Sequence, residues 1–287
     1  MTDETAAWRP VKGVADPAAG AGLVVGLLAA LVAALFLGSL FVGPAALGLG
    51  DSVAALLRGE GEAATLVMRE IRLPRAILGL MIGATLGLSG AALQGYLRNP
   101  LAEPGLIGVS STASLGAVIA IYTGASAAFP LALPLAALGG ALLAVLVVQA
   151  MAGGAGGGIT LILAGVAVTS FSGAMTSLAL NLSPNPFAAI EIVFWMLGSL
   201  ADRSMLHVQL AAPFMVLGWI MLAGLGRGLD ALTLGEDAAA SLGVRLGRVR
   251  MLAVLGTAAS VGAATAVAGA IGFVGLVAPH LLRPLVG

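Results

Sequence analysis

Long apolar runs separated by short polar stretches fill nearly the whole chain. They cover Gly22–Gly43, Ala76–Leu97, Gly105–Tyr122, Leu131–Met151, Ile159–Leu182, Val208–Gly226, Met251–Ala268 and Ile271–Val286. Crossing the hydrocarbon of a bilayer takes about 20 apolar residues of α-helix, and most of these runs approach that length. None alternates with the period of two that marks a membrane β-strand. In lipid every backbone donor and acceptor needs an internal partner, so such runs predict helices. The pattern therefore predicts an all-α polytopic bundle of about eight spans over residues 21–287, the last one short and interrupted. The first run is longer than a secretory h-region and predicts an uncleaved first helix. Residues 1–20 are polar and contain Pro and Gly, and are expected to form a loosely ordered cytoplasmic tail. Between the fifth and sixth runs Ser183-Pro184-Asn185-Pro186 breaks the chain, and Ala188–Leu200 is too short to cross. A short helix at the outer surface is predicted there.

Composition agrees with the pattern. Hydrophobic residues make up 60% of the chain and charged residues 9%, with a mean hydropathy of +1.09, against about 25% charged in a soluble domain. Acidic and basic residues balance at 13 each, so no net field draws nucleic acid or an acidic ligand. There is no cysteine, hence no disulfide, thiolate nucleophile or Cys-based metal site. Within Ala76–Leu97, Leu131–Met151 and Ile159–Leu182 no ionisable side chain occurs, which argues against the intramembrane relays of ion-coupled carriers. The glycine-rich stretch Gly153-Gly154-Ala155-Gly156-Gly157-Gly158 lacks the Lys and hydroxyl of a phosphate-binding loop and reads as a flexible inner turn. His207 and His280 are the only imidazoles, and no nucleophile–base set accompanies them.

Placement of charge is more informative than its sum. With the N-terminus inside, the inner segments hold Arg9, Lys12, Arg98, Arg227, Arg245, Arg248, Arg250 and Arg283, and the outer ones Arg58, Arg69, Arg72, Arg75 and Arg203. That bias favours this orientation. Three of the outer arginines cluster in Met68-Arg69-Glu70-Ile71-Arg72-Leu73-Pro74-Arg75. Two readings stand: interfacial anchors that snorkel to headgroups, or a docking patch for an acidic partner. Pro74 suits a first helical turn, which would place Arg72 and Arg75 at the mouth of the second span.

Further along, Gly79, Gly83 and Gly87 recur every fourth residue and predict a close helix-packing seam. In Arg98-Asn99-Pro100-Leu101-Ala102-Glu103-Pro104 the prolines forbid a continuous helix and Asn99 can satisfy freed backbone groups, which predicts a rigid inner corner. In the inner loop 227–250, Glu236 and Asp237 suit a helix N-terminus, Leu234, Ala238 and Leu242 share an apolar face, and Gly243 suits a stop. A short amphipathic helix follows, which by itself reads as a connector between two spans. Arg245, Arg248 and Arg250 beyond it fit the inside-positive tendency.

Three stretches carry a more particular pattern. Arg72-Leu73-Pro74-Arg75 is followed by Gly83, Gly87, Gln94 and Asn99-Pro100-Leu101-Ala102-Glu103-Pro104-Gly105-Leu106-Ile107-Gly108-Val109-Ser110; then come Leu234-Gly235-Glu236-Asp237-Ala238 through Leu242-Gly243, and Gly269-Ala270-Ile271-Gly272-Phe273 through Pro279-His280 and Arg283. In this order and spacing they resemble the FecCD family of permeases of ATP-binding-cassette importers, which serve iron–siderophore, haem and cobalamin transport. The resemblance covers Ile71 to Gly287. It implies a bundle of ten helices, two of them beyond Gly287, in a bacterial cytoplasmic membrane. It implies a homodimer or a pairing with a close homologue, two cytoplasmic ATPase subunits, and a periplasmic or lipid-anchored substrate-binding protein. No cofactor is implied on the permease itself, with ATP and magnesium held by the ATPases, and no catalysis. Leu234, Gly235, Glu236, Asp237, Ala238, Leu242 and Gly243 become the coupling element, and Arg72 and Arg75 the docking arginines. Gly83, Gly87, Gln94, Asn99, Pro100, Gly108, Ser110, Gly272, Pro279 and His280 become structural or pathway positions. One departure is Thr112, where many relatives carry Gly. An ATP-independent channel or carrier is the alternative function, and a non-transporting scaffold a third.

Overall fold

A computed structural model describes residues 17–153, 157–183 and 185–286. The predicted tail up to residue 16 with Arg9 and Lys12, residues 154–156 of the glycine-rich turn, Pro184 and Gly287 lie outside the described residues. Among the described residues the secondary structure is helical throughout. Six helices are long and apolar enough to cross a membrane. They are α1 (Pro17–Phe41), the continuous helix Glu62–Leu97, α7 (Ala132–Ala152), α8 (Gly158–Asn181), α10 (Met205–Ala223) and α13 (Leu246–Ala268). The predicted runs Gly105–Tyr122 and Ile271–Val286 are corrected to shorter helices, α5 (Val109–Tyr122) and α14 (Val274–Val286). Their first residues are non-helical or a 3₁₀ turn, Pro104–Ile107, because Pro104 and the glycines at 105, 108, 269 and 272 break the ladder. The remaining pieces lie at the ends: α2 (Leu49–Arg58), the single turn α6 (Ala125–Ala128), α9 (Pro186–Met196), α11 (Gly226–Leu232) and α12 (Glu236–Ser241). The predicted short helix after Ser183 is α9, opened by Pro186 with the Asn185 side chain accepting from Phe187 N–H at 2.9 Å.

The second span begins earlier than its proline suggested. Helix α3 (Glu62–Leu66) runs into a π-helical turn, Val67–Arg72, and on into α4 (Leu73–Leu97). Pro74 has no N–H to give to the preceding turn and its ring needs room there. Widening that turn answers both, and the Leu73 N–H reaches back to the Met68 carbonyl, five residues away. At its far end α4 stops on Arg98, which takes the left-handed conformation with φ 48°. Asn99 Oδ1 accepts from Leu101 N–H at 2.9 Å, forming the predicted corner.

Helix α13 is the centre of the bundle. In its most apolar window 78% of residues are buried, against 6% in α1, so α13 is largely enclosed by the rest of the chain and α1 is not. Two cores meet along α13. One joins α5, α7 and α8 through Val109, Ala141, Val148 and Leu161, and the other joins α4 and α10 through Leu78, Ile82 and Met215. Close approach comes from glycines, though not from the predicted stripe. No heavy atom would lie within 4 Å of a Cβ on Gly83 or Gly87, and Gly79 would meet only Leu200 Cδ1 at 3.6 Å. Periodicity placed those glycines on one face correctly, but that face meets no helix among the described residues. The tight crossings use Gly90 against the Gly275 carbonyl, Gly116 against Ala136, Gly140 against Thr112 and Gly165 against Leu106. Polar side chains tie α4 to α10 and α13: Trp219 Nε1 donates to Thr85 Oγ1 at 2.9 Å, and Ser89 and Ser260 hydroxyls stand 3.3 Å apart.

Candidate functional site

The sequence-predicted positions separate into two ends of the bundle and one interior gap. The end that carries α2 and α9 holds the arginine cluster. Arg69 donates through Nε and Nη2 to the Leu56 carbonyl at 3.1 and 2.9 Å, in the last turn of α2. Arg72 Nη1 donates to the Leu40 and Phe41 carbonyls at 3.1 and 3.2 Å, at the end of α1, and its Nη2 to Ala45. Helix C-termini carry unpaired carbonyls and a partial negative charge, so both guanidiniums are caps for neighbouring helices. Arg72 is only 7% exposed, and a Cβ on Gly43 would stand 3.1 Å from its Nε. Of the expected docking pair, Arg72 is turned inward onto these carbonyls and Arg75 is exposed. Arg58 pairs with Glu60 at 3.4 Å on the surface beside it. Across this end, burial lowers the pKa of Arg203 while the adjacent Asp202 works against the shift. His207 Nδ1 accepts from the Ser204 N–H at 3.2 Å and caps the start of α10, a structural role.

At the opposite end, α11 and α12 form a cap. Gly235, with φ 105°, precedes Glu236 and Asp237 in the first turn of α12, and Gly243 follows with φ 85°. Ala239 is buried and anchors the cap beside Leu232 and Val249. The predicted apolar face points away from the bundle: Leu234 is 68% and Leu242 66% exposed, with Ala238 partly covered. An exposed apolar ridge flanked by two carboxylates can receive a partner groove. Arg245 and Arg248 are exposed beside it, whereas Arg250 is 9% exposed and its Nη2 donates to the Gly153 carbonyl at the end of α7. Of the three arginines, Arg250 is thus a tie within the bundle.

The interior gap lies where α13 ends and α14 has yet to begin. A cavity of about 90 Å³ is lined by Glu103, Ser110, Ile271, Gly272 and Phe273 among others. For the N–H groups of Ala270, Ile271 and Gly272 no partner is found among the described residues. Non-helical backbone at membrane depth persists only against protein or a hydrated cavity. Glu103 is the acid that sequence reading left in the corner. The signal was Pro104, whose ring packs on Gly275 deep in the bundle, so the chain re-enters after Asn99 and Pro100. Gln94, 2% exposed, fixes α14 by donating to the Leu276 carbonyl at 3.0 Å and accepting from Arg283 Nη2 at 3.2 Å. A Cβ on Gly108 would meet Val168 Cγ1 at 2.9 Å, and Ser110 Oγ lies 3.5 Å from Thr265 Oγ1. Thr112 bridges α5 to α8 through Ser172 Oγ at 3.1 Å. Pro279 sits inside α14, and His280 is exposed. Among the described residues no group of His, Asp and Glu could hold a metal ion.

The architecture of the described residues is that of a polytopic helical membrane protein with a short-helix cap at one end. The sequence pattern of the FecCD transport family matches residues 30–287, and the chain belongs to that family. It is 42% identical over 228 residues to YvrB of Bacillus subtilis, an ABC transporter permease, covering 78% of this chain and 64% of the relative. It is 39% identical to the cobalamin import permease BtuC of Halobacterium salinarum (82% and 63% of the two chains), and 38% identical to the ferric enterobactin permease FepD of Escherichia coli (92% and 79%). The chain spans just under two thirds of the length of the first two. Among solved structures, one described as an inward-facing metal-chelate type ABC transporter aligns with TM-score 0.81 and 30% identity over 93% of this chain and 82% of that one.

Proposed function

We propose that the chain is the membrane-spanning subunit of an ATP-binding-cassette importer that moves a metal chelate, an iron–siderophore, across the bacterial cytoplasmic membrane by alternating access. In this reading the α12 end and the N-terminus are cytoplasmic, and two ATPase subunits, holding ATP and magnesium, dock on the ridge of Leu234 and Leu242. A second permease copy completes the pathway, and a substrate-binding protein docks at the α9 end, where Arg75 offers a cation to a carboxylate. The permease makes no covalent chemistry. The exposed apolar ridge on a cap otherwise anchored by Ala239 carries the reading, because such a ridge in water is unfavourable unless a partner covers it. Family membership supports it, and FepD and BtuC bring the chelate class, with cobalamin or haem as the cargo that the assay separates from an iron–siderophore.

The test is made in proteoliposomes holding the permease, its cognate ATPase and binding protein, with ferric enterobactin, haem and cyanocobalamin as separate probes. ATP-dependent uptake of the ferric chelate is expected, and its loss in Leu242→Asp together with stimulation of the ATPase by loaded binding protein. Uptake without ATPase would instead identify a channel or carrier. Uptake of haem or cobalamin alone would reassign the cargo.

A further inference from the structure

We infer that Tyr96 and Arg250 are positioning residues that carry displacement of the α11–α12 cap to α7 and α8; this rests on the reading of α12 as the docking element. The cap and the α5–α7–α8 half have separate cores. Leu222, Leu232, Ala239 and Val249 belong to the first, and Ala141, Val148 and Leu161 to the second. Among the described residues Tyr96 is the partly buried hydrophobic side chain packed against both. It follows Gly95, where the missing side chain lets Leu229 of α11 approach to 3.4 Å of the Cβ position. The cap is thereby seated on the turn of α4 that bears the tyrosine ring.

Arg250 supplies the second link. It sits in the second turn of α13, under the cap, and its guanidinium reaches the carbonyl of Gly153 where α7 stops. A charged donor on a carbonyl is worth more than a neutral hydrogen bond. Tyr96 packs on the cap core that contains Ala239 of α12 and Val249 of α13, one residue before Arg250 on α13. Arg98 Nη1 adds a cation 4.0 Å from the Cβ position of Gly235. Tyr96, through the two cores it touches, and Arg250, through the Gly153 carbonyl, therefore link the cap to the end of α7. Helix α13 also packs on α7 through Val254 and Ala258, but neither of those residues belongs to the cap core. Close-packed interiors shift between discrete arrangements as rigid pieces, so a contact shared by both cores passes the shift from one to the other.

Because the chain has no cysteine, spin labels can be placed at Arg227→Cys on the cap and Ile159→Cys at the start of α8, both exposed. In nanodiscs with the cognate ATPase, the label distance is compared without nucleotide and with ATP and vanadate. A distance change is expected in the otherwise unaltered chain, and its loss in Arg250→Met and Tyr96→Ala. Arg250→Lys keeps a cationic donor and Tyr96→Phe keeps the ring, so both should retain the change, with the ATPase bound and thermal midpoints unaltered. An undiminished change in Arg250→Met and Tyr96→Ala overturns the inference and leaves docking intact. Loss in all four variants, or no change in the unaltered chain, also overturns it, the former by assigning a structural role alone. Failure of the ATPase to bind the unaltered chain sinks the docking reading first, and this inference with it.

Discussion

An arginine at a membrane boundary has five N–H donors to satisfy, and two neighbours in one short motif satisfy them differently. Arg72 gives its donors to the frayed end of α1, while Arg75, three residues on, faces outward. Arg72→Met should leave the Leu40, Phe41 and Ala45 carbonyls without their cap and cost about 3 kcal/mol, the scale of losing charge-assisted bonds to buried groups. Thermal unfolding in detergent would read this as a lower midpoint, and an unchanged midpoint would refute the capping role. Arg75→Glu should leave the midpoint alone and slow association of the binding protein, most strongly at low salt, because exposed charges are screened within about 10 Å at 0.1 M. Association that is insensitive to both salt and charge reversal would remove Arg75 from the docking surface.

Helices meet in this protein where glycine lets a backbone come close, and the glycines that do so are not the periodic ones. A Cβ on Gly90 would overlap the Gly275 carbonyl, whereas one on Gly83 would touch nothing. Gly90→Ala should push α14 from α4, strain the Gln94 bond to Leu276, and cost about 1–3 kcal/mol, the usual range for overpacking. Gly83→Ala should be neutral, or slightly stabilising through helix propensity. Equal midpoints for the two variants would contradict the packing described. The contrast shows what the sequence can carry. Lipid demands helices, so apolar runs revealed where α7, α8 and α13 lie, and Asn185-Pro186 revealed the start of α9, because these rest on local chemistry. A repeat of glycines identifies a face but not what stands against it. Pro74 resembled a helix start because the π-turn that accommodates it is set by residues 67–72 in three dimensions. Arg72 resembled a surface residue because its acceptors lie 27 to 32 residues earlier, beyond any local pattern. Leu234 and Leu242, by contrast, were legible, since an amphipathic turn between glycines keeps its face wherever it packs.

Among the described residues burial is graded, with α13 largely enclosed and α1 exposed along nearly all its length. Local opening should follow this gradient, because amide protection rises with burial and contact. In nanodiscs, hydrogen exchange is expected to be slowest along α13 and much faster at Ala270, Ile271 and Gly272, which line the cavity between α13 and α14 and whose N–H groups have no partner among the described residues. Protection of that stretch equal to α13 would show that it is not hydrated. The grip of Arg72 on Leu40 also has a temporal side. The two are 32 residues apart, and a ribosome adds about 5–20 residues per second. For roughly two to six seconds of synthesis, the end of α1 must therefore wait with its carbonyls turned to water or headgroups, and it is locked to the rest of the protein only when the arginine emerges.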